Sequence, residues 1–265
     1  MNAKYLLYID ILGFAAIAGS DSERVMRLYS IIDSLNVHRH DGFRTIVFSD
    51  TILVYNDFTP RDEHEHEYAV MFQCEFAQDL LVRLVGQDVY FRALLDYGEF
   101  SHDRLTNIES FFGPALVRSY QREKQLQAVG LFATAACVAR NRVFPTERFQ
   151  EDLYFVFLNQ SLERLQVNTG GQLPSDPIYV GNTDDYYRIL WDLSFLASVH
   201  RHMREHPEQR VRAKHLATYD LYRRRYPHLL AAFESAGFQP ECICPTHDWS
   251  REKAHFRDEL ETTDA

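Results

Sequence analysis

The sequence predicts an α+β fold: a ferredoxin-like βαββαβ core with an added helical region at the C-terminal end. Three observations carry that expectation. Residues 4–98 order themselves as strand, helix, hairpin, helix, strand. A Gly-, Pro-, Asn- and Asp-rich stretch over 168–185 (NTGGQLPSDPIYVGNTDD) breaks the composition and reads as a linker. Beyond it, residues 186–237 carry apolar side chains at helical spacing.

The elements follow in order. Residues 4–9 (KYLLYI) form a β-prone apolar run ending at Asp10 and Gly13. Residues 22–36 place Val25, Leu28, Ile31, Ile32 and Leu35 on one helical face, with Ser20 or Asp21 as cap. Residues 43–48 and 51–55 are strand-like runs separated only by Ser49-Asp50, a hairpin with a polar tip. The acidic, His-rich segment 57–67 reads as a loop, 68–86 as a second helix, and 89–98 as a third long strand closed by Gly98. A loop is expected at 100–112, a helix at 114–127, and strands at 128–133 and 153–158. The domains expected are therefore 1–167, a linker at 168–185, and a helical extension over 186–265, its charged tail after about 246 disordered.

Composition narrows the function. The chain has 265 residues, 46% hydrophobic and 25% charged, enough for a buried core. A net charge of −10 argues against a broad grip on nucleic acid or an anionic membrane. No apolar run reaches the length of a membrane span, and residues 1–19 lack a signal-peptide layout. Of Cys74, Cys137, Cys242 and Cys244 only the last two are close, so a disulfide framework is not visible and a cytoplasmic location fits.

Asp10 and Asp50 stand out once the βαββαβ plan is drawn. Its first and second strands run in the same direction, so an acid after the first and an acid in the turn after the second share one edge of the sheet. Two such carboxylates suit one or two hard divalent cations, the arrangement used for in-line displacement at phosphorus. An isolated Asp after a strand is more often a turn or cap residue, and the joint placement is what sets these apart.

Four segments carry a family resemblance. YIDILGF (8–14) resembles the first-strand signature of class III nucleotidyl cyclases. FSDTILVY (48–55) resembles their hairpin motif, with Ser49 where the family usually has Gly. RALLDYGEF (92–100) and FGPALVRSYQRE (112–123) resemble the next strand and the Gly-led helix after it. The details are most similar to the pyrimidine cyclases of bacterial Pycsar defence systems.

The resemblance implies a nucleoside triphosphate substrate, most of all UTP, cyclised to cyclic UMP that acts on a separate effector protein during phage infection. It implies two Mn²⁺ or Mg²⁺ ions on Asp10, Asp50 and the backbone carbonyl of Ile11. It also implies a homodimer with shared active sites. Purine cyclases carry a base-reading Lys where this chain has Ile46, and their Asn/Arg pair falls on Val117 and Gln121. Arg118 and Arg122, one residue later and four apart, are candidates for the phosphate role. Arg92, Phe48, Tyr55 and Phe14 are candidates for substrate contact, although such aromatics are more often core.

Weaker signals have plainer readings. His64 and His66 read as part of a solvated acidic loop. Cys242, Cys244 and His247 lack a fourth zinc ligand. The basic, aromatic segment 215–227 reads as an exposed helix face. The competing functions are a cyclic CMP, AMP or GMP synthase, a catalytically silent cyclase-homology domain that binds nucleotide, and a metal-dependent phosphohydrolase.

Overall fold

The computed structural model describes residues 2–35, 38, 40–176 and 186–264. The chain divides into two compact units, one comprising Met1–Leu81 and Val89–Leu158, the other Val82–Asp88 and Asn159–Ala265.

The first unit is an α+β structure on one mixed sheet. Its first half contains β1 (Asn2–Leu12), α1 (Phe14–Ser20), α2 (Ser22–Asp33), β2 (Phe43–Phe48), β3 (Thr51–Asn56) and most of α3 (Glu63–Leu84). After these come β4 (Tyr90–Arg104), β5 (Glu109–Phe112), α4 (Pro114–Glu123), β6 (Gly130–Thr134), α5 (Ala135–Val138), β7 (Thr146–Arg148) and β8 (Leu153–Val156). The sheet order is β2-β3-β1-β4-β6-β8-β7, with β5 paired to the outer end of β4. Each neighbouring pair among the first four strands is antiparallel, so β1 and β2 run in the same direction, the arrangement of a βαββαβ core, and β6 adds to β4 in parallel.

The apolar run of β1 is continuous because both of its faces are covered. Leu6 and Tyr8 pack with Leu53, Tyr55, Phe100 and Ala115 on the side of α4. Tyr5 faces α3, where its carbonyl accepts from Gln73 Nε2 at 2.8 Å and its hydroxyl meets His66 Nδ1 at 2.8 Å. Strand periodicity puts Asp10 on the α4 face with Leu6 and Tyr8. The cross-strand register adds Arg92, opposite Asp10, and Asp96, opposite Leu6.

Several expected boundaries move. The acidic segment begins a helix: Asp62 Oδ1 accepts the Glu65 amide at 2.9 Å, and Glu65 Oε2 accepts the Arg61 amide at 2.8 Å. Asp62 thus caps the helix while Glu65 reaches back to the residue before the cap, a variant of the capping box, and Glu63 and Glu65 complement the positive helix end. Strand β4 runs through Gly98, which pairs with Lys4. A Cβ at Gly98 would lie 2.5 Å from Arg118 Nη2, so a side chain there would shift the arginine where it crosses the strand. β5 falls in the expected 100–112 loop.

The second unit is helical: α6 (Gln160–Thr169), α7 (Tyr186–Glu205), α8 (Gln209–Arg225), α9 (Pro227–Ser235) and α10 (Ser250–Asp264). Helix α10 replaces the disordered tail expected from charge. Its Phe256 packs edge-on against Trp191, with centroids 4.6 Å apart. At its base Trp249 Nε1 donates to the Cys244 carbonyl at 3.1 Å. Residues 177–185 of the expected linker lie outside the described residues. Among the described residues, no helix is long and apolar enough to cross a membrane.

Candidate active site

Strand β1 ends in Asp10-Ile11-Leu12, and Gly13, at φ 79°, turns the chain into α1. Asp50 sits at the tip of the β2–β3 hairpin, where Ser49 takes φ 55° and Phe48 pairs with Thr51. The two acids meet through the backbone. Asp10 pairs with Thr51, and the Ile11 N–H donates to the Asp50 carbonyl at 2.9 Å. Both side chains are partly exposed at this rim.

A third carboxylate, from α4, shares the arginine that holds Asp10. Glu123, in the last turn of that helix, is 3% exposed and touches Arg92 Nη2 through Oε1. The same Nη2 donates to Asp10 Oδ2 at 3.1 Å, and Arg92 Nη1 donates to the Leu126 carbonyl at 3.2 Å. Tyr8 feels the charge of all three acids. Its phenol is raised above the ordinary tyrosine range by burial, against a hydrogen bond with Thr51, with the charges of Glu123, Asp10 and Asp50 adding to the rise. Glu123 sits in a polar stretch that reads as solvated helix, so spacing gave it no signal. The signal in the sequence that points to Tyr8 is its strand parity with Asp10.

The remaining candidates fall elsewhere. Arg118 donates to the buried carboxylate of Asp96 (Nε at 3.0 Å, Nη2 at 2.8 Å) and to the Tyr97 carbonyl. Asp96 is four residues along β4 from Arg92, hence about 13 Å from the Asp10 end. Arg122 pairs with Asp152 at 2.7 Å, both partly exposed. Tyr55 is core: 3% exposed, packed on Phe100, its hydroxyl on His102 Nδ1 at 2.8 Å, and at the end of β3 away from Asp50. Phe14 is buried against Tyr29, and Phe48 is 72% exposed beside the hairpin tip.

The donor set at the rim is of hard oxygens: two carboxylates and, at Ile11, a backbone carbonyl. That fits a small divalent cation completed by water and substrate phosphate. Asp10 would share its carboxylate between such a cation and Arg92. Among the described residues there is no group of three or more His, Cys, Asp or Glu that could hold a metal unaided, Cys242, Cys244 and His247 included. His247 instead meets Glu252 at 3.1 Å.

No protein-family profile matches the chain, and no curated protein matches it significantly. In structure it is similar to a bacterial light-regulated adenylyl cyclase, at 15% identity and TM-score 0.46, over 59% of this chain and 52% of that one. It is also similar to the adenylyl cyclase CyaB from P. aeruginosa, at 11% and 0.44, over 58% and 93%. A third similarity is to the guanylyl cyclase domain of the RhoGC fusion protein from the aquatic fungus Blastocladiella emersonii, at 14% and 0.45, over 59% and 97%. The chain spans about half the length of the first of these. Identities this low with TM-scores below 0.5 assign neither a family nor an activity.

Proposed function

We propose that the protein is a nucleotidyl cyclase, converting a nucleoside triphosphate to a 3′,5′-cyclic nucleotide and pyrophosphate. The observation that carries this reading is the meeting of Asp10 and Asp50 at one rim, joined by the Ile11 N–H to Asp50 carbonyl bond. The substrate's 3′-hydroxyl attacks its own α-phosphorus and pyrophosphate leaves. The protein therefore has mainly to position the triphosphate and stabilise its charge. Asp10, Asp50 and the Ile11 carbonyl would hold divalent ions, which when bound would acidify that hydroxyl and neutralise the triphosphate.

UTP is the substrate proposed, with cyclic UMP as product and an effector protein in Pycsar-type defence as its target. The motif resemblance is the support for that finer reading. Ile46, at the position of the purine-reading Lys, is half-buried against the apolar cluster under α4 and has no group to read a purine edge. The sites are proposed to be shared between two copies of the chain. Val117 and Tyr120 on α4, and Leu105, Ile108 and Phe112 on the β4–β5 arm, are exposed apolar side chains that a second copy would cover. Arg122 is the better candidate for the transition-state charge. Its pair with Asp152 is exposed and easily exchanged, whereas Arg118 is bound twice to a buried acid. A silent nucleotide-binding homologue is the second reading, favoured by the hold of Arg92 on Asp10.

The test is turnover of each of the four nucleoside triphosphates with Mn²⁺, resolving the cyclic products. Cyclic UMP from wild type and none from Asp50→Ala supports the proposal. A wild-type protein that turns over none of the four refutes it.

A further inference from the structure

Arg92 stands directly opposite Asp10 in the β1–β4 register, so the two cannot avoid each other. It also reaches Glu123, whose side chain is 4% exposed at the C-terminal end of α4. Both features of that location are unfavourable to a carboxylate: burial removes its hydration, and the helix end presents carbonyls. Arg92 offsets both. One nitrogen, Nη2, serves Asp10 and Glu123 together, and Nη1 is fixed on the Leu126 carbonyl. The arginine is thus anchored to the end of α4 independently of Asp10. Asp10, Asp50 and Glu123 set against Arg92 leave two negative charges, the charge of one divalent cation.

We infer that Glu123 is a positioning residue for the metal site: by holding Arg92 from the α4 side, it leaves Asp10 able to turn toward a divalent cation. This rests on the cyclase reading, since it presumes that Asp10 and Asp50 bind such a cation. When Asp10 swings to the metal, Arg92 keeps a carboxylate partner and is not left buried with its charge uncompensated. Without Glu123, the guanidinium has Asp10 as its sole carboxylate partner in this cluster and competes with the metal for it. Glu123 acts through Arg92 and touches no substrate.

The test is Mn²⁺ binding to the full chain without nucleotide, read as loss of the free-ion electron paramagnetic resonance signal. Glu123→Gln, which keeps the shape, should bind Mn²⁺ about tenfold more weakly, the loss expected for a group supporting a metal ligand. Glu123→Asp keeps the charge but withdraws it from Arg92, and should also lose affinity, though by less than Glu123→Gln. Wild-type affinity in Glu123→Gln, or full affinity in Glu123→Asp beside a weakened Glu123→Gln, would overturn the inference; the latter means charge at a distance suffices. Asp50→Ala separates the two readings. If it loses Mn²⁺ while Glu123→Gln does not, this inference alone fails. If it binds Mn²⁺ as wild type does, or wild type takes up none, the metal reading fails as well.

Discussion

Gly113 takes φ 147°, and a Cβ there would lie 2.4 Å from the Glu99 carbonyl oxygen and 2.9 Å from Phe100 Cα. Both are backbone atoms that cannot rotate away. Gly113→Ala should therefore destabilise the first unit by about 2–3 kcal/mol, seen as a lower denaturant midpoint. A midpoint equal to wild type would refute the close approach. Gly113 was legible because it leads the segment 112–123 that resembles a Gly-led helix motif. Glu123, in the same helix, was not, because only a partner 31 residues away in sequence gives it meaning. Asp192 is a similar case in the helical unit. Burial raises its carboxyl to about 7, against hydrogen bonds from Asn159, Leu162 and Ser161 and the charge of Arg188. The folded form thus keeps a proton that the unfolded chain releases near 3.8. That stability is complete below the unfolded value and is lost as pH rises through about 7. Asp192→Asn still accepts the Asn159 hydrogen bond and carries no charge. Its Tm relative to wild type should rise by several degrees between pH 5 and pH 8. An offset that is the same at both pH values would show that Asp192 does not titrate there.

At the scale of elements, the hairpin and the strand–helix–hairpin–helix–strand order were legible because their patterns are local. The start of α3 was missed because composition alone makes DEHEHE look solvated. Its role appears only when Asp62 and Glu65 cap the helix and His66 turns inward to Tyr5. β5 was missed because a four-residue strand is held by its partner, the far end of β4, more than by its own sequence. On α4 the two arginines looked equivalent by spacing, but their partners differ, and this yields a test. Arg118→Met leaves the buried Asp96 carboxylate without its guanidinium and should cost about 2 kcal/mol of stability. Arg122→Met breaks an exposed pair and should change stability by less than about 0.5 kcal/mol. If Arg122 carries the transition-state charge, its loss should cut turnover by about a hundredfold. Denaturation and turnover measured on both variants check this. A destabilised Arg122→Met, or one fully active, would contradict the assignment.

At the scale of the molecule, the second unit was legible as helical and not as to its purpose, because helical spacing reports packing and nothing about partners. The first unit bears on assembly. Its exposed Val117 and Tyr120 lie on the same short helix as Arg122. A contact that covers them would bring that arginine to a neighbouring copy. Wild type should therefore sediment at twice the 31.1 kDa of one chain. Changing Val117 and Tyr120 together to Asp should yield a monomer that has lost turnover and kept its melting transition. Shared sites also make a quantitative prediction. Asp50→Ala and Arg122→Met would each be inactive alone, one lacking the metal carboxylate and the other the phosphate arginine. Mixed in equal amounts and allowed to exchange, half of the dimers carry one of each chain. One of the two sites in such a dimer has an intact Asp50 from one copy and an intact Arg122 from the other. The mixture should recover about a quarter of wild-type turnover. A mixture as inactive as its components would mean that each site is built from one chain alone, and that Arg122 serves no neighbour.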